Sequence, residues 1–204
     1  MTRSGADALL FDLGKVVIDI DFDRALARWA EQARCDQALL AARFSHDEAY
    51  RLHEIGQLDQ RQYFAALRGS LGVDLSDEQL LDGWNAIFVG EMAGMSELLI
   101  EAARRRPLYA FTNTNPTHER CFSTRFAGVL GHFRAIYASS TIGLRKPDAA
   151  AFDYVVKAIG VPAERIVFFD DSLENVRGAR ACNLQAVHVT SRADIASTIA
   201  ALAR

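Results

Sequence analysis

Four-residue apolar runs alternating with stretches of helical period set the rhythm of this chain. ALLF (8–11), LYAF (108–111) and IVFF (166–169) lack the in–out alternation of a half-solvated strand, so each reads as a strand buried on both faces of a parallel sheet. From residue 92 onward the two patterns alternate. The order is a helix from about Ser96 to Arg106 with Ser96 as its N-cap, the strand LYAFTN, a helix from near Pro116, and the strand RAIYAS. A helix over DAAAFDYVVKAIG then stops at Gly160, followed by the strand RIVFFD, the helix ENVRGARAC, the strand QAVHV and the amphipathic helix RADIASTIAALA. This alternation predicts an α/β fold in which a doubly wound, mostly parallel sheet carries helices on both faces.

Residues from about 22 to 90 break the alternation. They show helical periods only: DRALARWAEQA, DQALLAARF, His46 to Ile55, Leu58 to Leu71, and SDEQLLDGWNAIF, the last opened by a Ser76–Gln79 capping box. Trp29, Phe64, Trp84 and Phe88 fall at helical spacing and read as the core of this insertion. The expected organisation is therefore a core of residues 1–20 and 92–204, with an all-helical cap over 21–91 inserted after the first strand. In open α/β sheets ligands bind outside the carboxyl ends of the strands, and a cap inserted there would lie over the site.

Composition narrows the function. With 204 residues, half of them hydrophobic, the chain can bury one core plus an insertion. Its 23 basic and 26 acidic residues give a net charge of −3, so nucleic acid and anionic membrane surfaces are not expected partners. Arg104–Arg106 is the only basic run, and a helix C-terminus accounts for it. Cys35, Cys121 and Cys182 are odd in number and widely spaced, which suggests neither a disulfide framework nor a zinc site. The short apolar run before Asp12 is no signal peptide or span, so a cytoplasmic location is expected; oligomeric state is left open.

The polar residues at the strand ends carry the chemistry. Asp12 follows ALLF, Thr112 and Asn113 end LYAFTN, Lys146 lies in LRKPD, and Asp170–Asp171 follow IVFF. A carboxylate can attack phosphorus and split a difficult hydrolysis into two easier steps. Thr112 and Asn113 offer a hydroxyl, an amide and backbone N–H groups to phosphate oxygens, and Lys146 offers a positive charge. Asp170 and Asp171, with Asp12, form the oxygen-rich set that Mg2+ prefers, and adjacent buried carboxylates repel unless a cation is present.

FDLGKVV, FTNT, LRKPD and FFDDSLENV resemble, in order, the four motifs of the haloacid dehalogenase-like (HAD) hydrolase superfamily, which implies a Rossmann-like core. Within it, the FDLG segment, the DIDF stretch Asp19–Phe22, HEIGQLDQRQYF (53–64) and FTNTN are similar to the bacterial α-D-glucose-1-phosphate phosphatase group. The resemblance implies a Mg2+-dependent phosphatase of small phosphorylated metabolites. Asp12 would be its nucleophile, Thr112 and Lys146 its phosphate-binding groups, Asp171 a direct metal ligand with Asp170 behind it, and the Gly14 carbonyl a further ligand.

Most phosphatases of the superfamily carry a second Asp two residues after the nucleophile, which protonates the leaving oxygen; here that position is Gly14. Losing a general acid removes a factor of about 10²–10⁴ in rate, which suits a leaving group that needs little protonation, such as an anomeric hydroxyl. His46, Glu48, His53 or Glu54 of the cap could supply a proton instead. Two other readings stay open. Asp19 and Asp21 of VVIDID could be the acid pair, with Gly14–Lys15 as a turn before a flap strand VVI in the favoured register. The chain could also be a phosphate-binding regulatory domain, or a haloacid dehalogenase, although a metal-free dehalogenase has no use for Asp170–Asp171.

Overall fold

The computed structural model describes residues 5–202. Five strands form a wholly parallel sheet in the order β5-β4-β1-β6-β7: β1 is Ala8–Phe11, β4 Leu108–Thr112, β5 Ala135–Ala138, β6 Ile166–Asp170 and β7 Gln185–His188. The central place of β1 follows from its composition, because all four of its residues are buried. Its side chains alternate between two apolar layers. Leu9 and Phe11 join Val167 and Phe169 on one face, where the helices Met95–Ala103 and Arg192–Ala201 pack. Ala8 and Leu10 join Ile166 and Phe168 on the other, under the helices Ala149–Ile159 and Leu173–Ala181. Parallel pairing in register (Phe11 opposite Ala110 and Phe169) brings the carboxyl ends of β1, β4 and β6 side by side.

Five helices lie between Phe22 and Asn85 and form the inserted cap: Phe22–Ala33, Gln37–Arg43, Glu48–Glu54, Gln60–Leu71 and Asp77–Asn85. Each starts on a side chain that accepts from a first-turn N–H: Asp21, Asp36, Asp47, Asp59 and Ser76, the last with Gln79 in a reciprocal capping box. Trp29, Phe64 and Trp84 are fully buried, and the indoles of Trp29 and Trp84 stack at 6.0 Å. Their cluster is continuous with the apolar layer on one face of the sheet.

The insertion is not helical throughout. It leaves β1 through β2 (Ile18–Ile20) and returns through β3 (Phe88–Glu91), which pair antiparallel as a two-stranded neck. Phe88 is thus a strand residue, buried while Val89 is exposed, an alternation too short to compete with the helical period before it. The flap strand is IDI rather than VVI, because Val16 and Val17 turn back on the Leu13 carbonyl. The Met95–Ala103 helix starts one residue before Ser96. Gly94, at φ 71°, turns the chain into it, and the Ser96 hydroxyl bonds Glu91 instead of capping. It also ends at Ala103, so the arginine run follows the helix; Arg105 pairs with Glu101 and Arg106 donates to the Ala6 carbonyl. Among the described residues no helix is long and apolar enough to cross a membrane, and the three cysteines are free.

Candidate active site

The sheet brings the expected residues together. The Lys146 ammonium, itself 1 % exposed, lies 2.7 Å from Asp12 Oδ1 and 2.7 Å from Asp170 Oδ2. It also sits 5.3 Å from the ring centroids of Phe111 and Phe168, within cation–π reach of both. The carboxylates of Asp12, Asp170 and Asp171 each place an oxygen within 4.8 Å of the others. Three carboxylates facing one ammonium leave negative charge uncompensated in a desolvated place, and a divalent cation with oxygen preference fits that set.

Asp170 is already occupied. Its Oδ1 accepts from Ser172 N at 2.8 Å, its Oδ2 from Lys146, and the Asn175 amide donates to both oxygens at 3.1 Å. Asp171 has no such partners, and its backbone carbonyl accepts from His188 Nε2 at 2.9 Å. Of these three carboxylates, Asp12 and Asp171 keep oxygens free for a ligand among the described residues. Asn175 was not evident from sequence; the available signal was an amide five residues after Asp170, on the first turn of a helix that points back at β6.

Electrostatics follow from burial. Desolvation pushes the Asp12 carboxyl up to about 7 against the pull of Lys146, with Asp170 adding to the rise. Burial and Asp170 likewise raise Asp171, opposed by Lys15 and Lys146. Burial works against the Lys146 ammonium, yet Asp12 and Asp170 hold it above its usual value.

Thr112 is buried at the end of β4 and lines the cavity described below. Asn113 lines the same cavity. Its amide donates to the Lys146 carbonyl and accepts from the Lys146 N–H, both at 2.9 Å, and so also holds the lysine loop. Gly14 lies close under the neck, where an added Cβ would approach Ile20 Cδ1 to 2.9 Å. A side chain there would have to push back the far end of the Ile20 side chain. Asp19 and Asp21 belong elsewhere: Asp19 pairs with Gly90 in the neck, and Asp21 caps the first cap helix. The rival register therefore does not reach Lys146.

Above these groups lies a cavity of about 400 Å3. Its floor carries Asp12, Thr112, Lys146 and Asp171, and the cap contributes His46, Tyr50 and Glu54. Of the four cap residues considered as proton donors, His46 and Glu54 line the cavity. Glu48 pairs with Arg51 at the surface, and His53 is buried away from it, with Nδ1 on the Leu58 carbonyl at 2.9 Å and its ring stacked on Tyr63. Cap and floor meet at Ser139, whose buried Oγ lies 2.6 Å from the Glu54 carbonyl and 2.9 Å from that of Thr114, and accepts from Thr114 N. His118, which lines the cavity too, is committed as a neutral ring. Nε2–H donates to the Trp84 carbonyl, Nδ1 accepts from Asn115, and burial lowers it to about 3.

The family model of the haloacid dehalogenase-like hydrolases matches residues 6–183. The chain belongs to this family. HAD relatives and neighbours extend over most of it. The D-ribitol-5-phosphate phosphatase of Bacteroides thetaiotaomicron is 23 % identical over 173 residues, covering 82 % of this chain and 84 % of that protein. The drimenol cyclase drtB of Aspergillus calidoustus is 47 % identical over 55 residues; the match covers 27 % of this chain and only 10 % of that protein. Among solved structures, a HAD family enzyme from Bacteroides thetaiotaomicron, crystallised with magnesium and inorganic phosphate, superimposes with a TM-score of 0.78 at 23 % identity. It covers 89 % of this chain and 93 % of that one, a likeness of fold.

Proposed function

We propose that this HAD hydrolase is a Mg2+-dependent phosphatase of a small phosphorylated metabolite, with a sugar or sugar-alcohol phosphate, such as α-D-glucose 1-phosphate, as the favoured class. One observation carries the reading: Lys146 buried between Asp12 and Asp170, with Asp171 beside them, at the floor of a cavity that the cap lines. The D-ribitol-5-phosphate phosphatase relative and the magnesium- and phosphate-bound neighbour support it. Residues 1–20 and 92–204 act as the catalytic core, and 21–91 as the cap.

Asp12 attacks phosphorus, the P–O bond to the leaving group breaks, and the resulting aspartyl-phosphate is hydrolysed by water. Lys146 and the Thr112 hydroxyl hold phosphate oxygens, and Asn113 fixes the Lys146 loop. Asp12, Asp171 and the Gly14 carbonyl would hold Mg2+, with Asp170 behind them keeping Lys146 and Asn175 in place. Bound there, the ion offsets the repulsion between an anionic nucleophile and an anionic substrate. With Gly14 in place of an acid, a sugar leaving group of low basicity departs unaided, and a more basic polyol oxygen would take its proton from the cap, where His46 lines the cavity.

The test is phosphate release from α-D-glucose 1-phosphate, D-ribitol 5-phosphate and p-nitrophenyl phosphate with Mg2+ or EDTA. Metal-dependent release should fall by about 10⁴-fold or more in Asp12→Asn. Release that survives Asp12→Asn moves the nucleophile elsewhere. Binding of phosphate without release from any ester points to a regulatory domain.

A further inference from the structure

The cap carries a polar group that the hydrolysis above does not use. Glu54 ends the Glu48–Glu54 helix, only 5 % exposed, and lines the cavity. Its Oε2 lies 3.1 Å from an Arg145 nitrogen but makes no well-formed hydrogen bond, and Arg145 Nε is also buried without a partner. Arg145 and Tyr50 thus hold the carboxylate at the cavity wall, where a carboxylate acceptor can receive donors that arrive with a ligand. Arg145 directly precedes Lys146 and stands behind Glu54, outside the cavity lining. Burial pushes the Glu54 carboxyl up, and Arg145, followed by Tyr50, pulls it back.

His46, just before the helix, and Tyr50 and Glu54, four residues apart on it, give the cavity one polar side, with the His46 and Tyr50 rings 4.3 Å apart. Ile20, Phe22, Phe88 and Phe122 supply apolar surface to the same cavity. A carboxylate acceptor combined with apolar and aromatic surface suits a carbon skeleton whose hydroxyls donate and whose C–H faces pack. The same carboxylate repels a leaving group that carries its own acid.

We propose that Glu54 is the specificity-determining residue of this site: it accepts hydrogen bonds from the hydroxyls of an uncharged polyol or sugar leaving group and turns away phosphate esters that carry a carboxylate, with Arg145 as the positioning residue behind it. The assignment rests on the phosphatase reading above. It is tested by titration calorimetry with Mg2+ in an Asp12→Asn background, which stops turnover during the measurement. The ligands are D-ribitol 5-phosphate, phosphoglycolate and inorganic phosphate.

Adding Glu54→Gln should weaken the ribitol ester about tenfold or more, tighten phosphoglycolate, and leave inorganic phosphate within about twofold. Adding Arg145→Met should weaken the ribitol ester in the same sense, and Arg145→Lys should restore part of the loss. Equal losses for all three ligands would make Glu54 a structural group, and an unchanged affinity for the ribitol ester would remove it from substrate recognition; either overturns the assignment. Failure of the wild-type protein with Mg2+ to bind even inorganic phosphate is a separate result, which sinks the phosphatase reading and this assignment together.

Discussion

At the cavity floor, polar groups stand at strand ends and are held by near neighbours; at its roof, they reach the cavity through tertiary packing of helices. Asp12 and Asp170 are oriented by parallel β1 and β6, and Asp170 is fixed by Ser172 and Asn175, two and five residues on. Tyr50 and Glu54 are placed by a seven-residue helix whose end is tied to Ser139, 85 residues away in sequence. A strand end fixes a side chain's direction almost by itself, whereas a cap helix fixes it only after docking. The proposed chemistry is thus rooted in the sheet, and the proposed selectivity in elements that can vary without disturbing it.

The largest expected effect concerns the floor. Lys146→Met leaves Asp12 and Asp170 facing each other without a cation, and removal of one partner of a buried ionic cluster costs about 3–5 kcal/mol. Urea unfolding in EDTA should show that loss, with Mg2+ recovering part of it. An unchanged midpoint would mean that the buried ammonium does not organise the floor.

A second effect follows from protons. Asp12 is pushed from 3.8 to about 7 in the folded protein. Between those values the folded, metal-free protein binds more protons than the unfolded chain, so its stability falls as pH rises through that window. The contribution is fully present below 3.8 and gone above about 7, on the order of a few kcal/mol. Mg2+ should flatten this slope. Urea midpoints across the window, with and without EDTA, measure it, and identical slopes would place the metal away from Asp12.

The floor was legible in the sequence because Asp12, Thr112, Lys146 and Asp170–Asp171 are announced by the apolar runs and loop beside them. The roles of Asn113 and Asn175 were not, since an amide's partner is set by three-dimensional reach. In the cap the helices were legible from period and caps, down to the Ser76–Gln79 box. β3 was missed because FVGE is four residues long and its partner, β2, lies about seventy residues back along the chain. Which of His46, Glu48, His53 and Glu54 would face the cavity could not be read either, because helix period gives relative direction and docking gives the absolute one.

The smallest effect lies at the seam between roof and floor. Gly56 has φ 72°, and a Cβ there would come within 2.4 Å of the Ser140 carbonyl oxygen. Gly56→Ala combines left-handed strain with this clash, so about 1–3 kcal/mol should be lost. KM for a polyol phosphate should rise more than kcat falls. The reverse split would place the seam in the chemical step instead.

The Ser139 hydroxyl has one hydrogen and two carbonyl oxygens within reach, Glu54 at 2.6 Å and Thr114 at 2.9 Å, while the Thr114 N–H always points at its oxygen. The hydrogen is therefore a rotor with two stops, one on each side of the seam. Were the Glu48–Glu54 helix to lift, a turn about a single C–O bond would transfer the hydrogen bond from cap to core, leaving no donor stranded on the core side. Parting the two halves then costs only a change of partner at this point, a hinge pin that stays seated in whichever half it is left with.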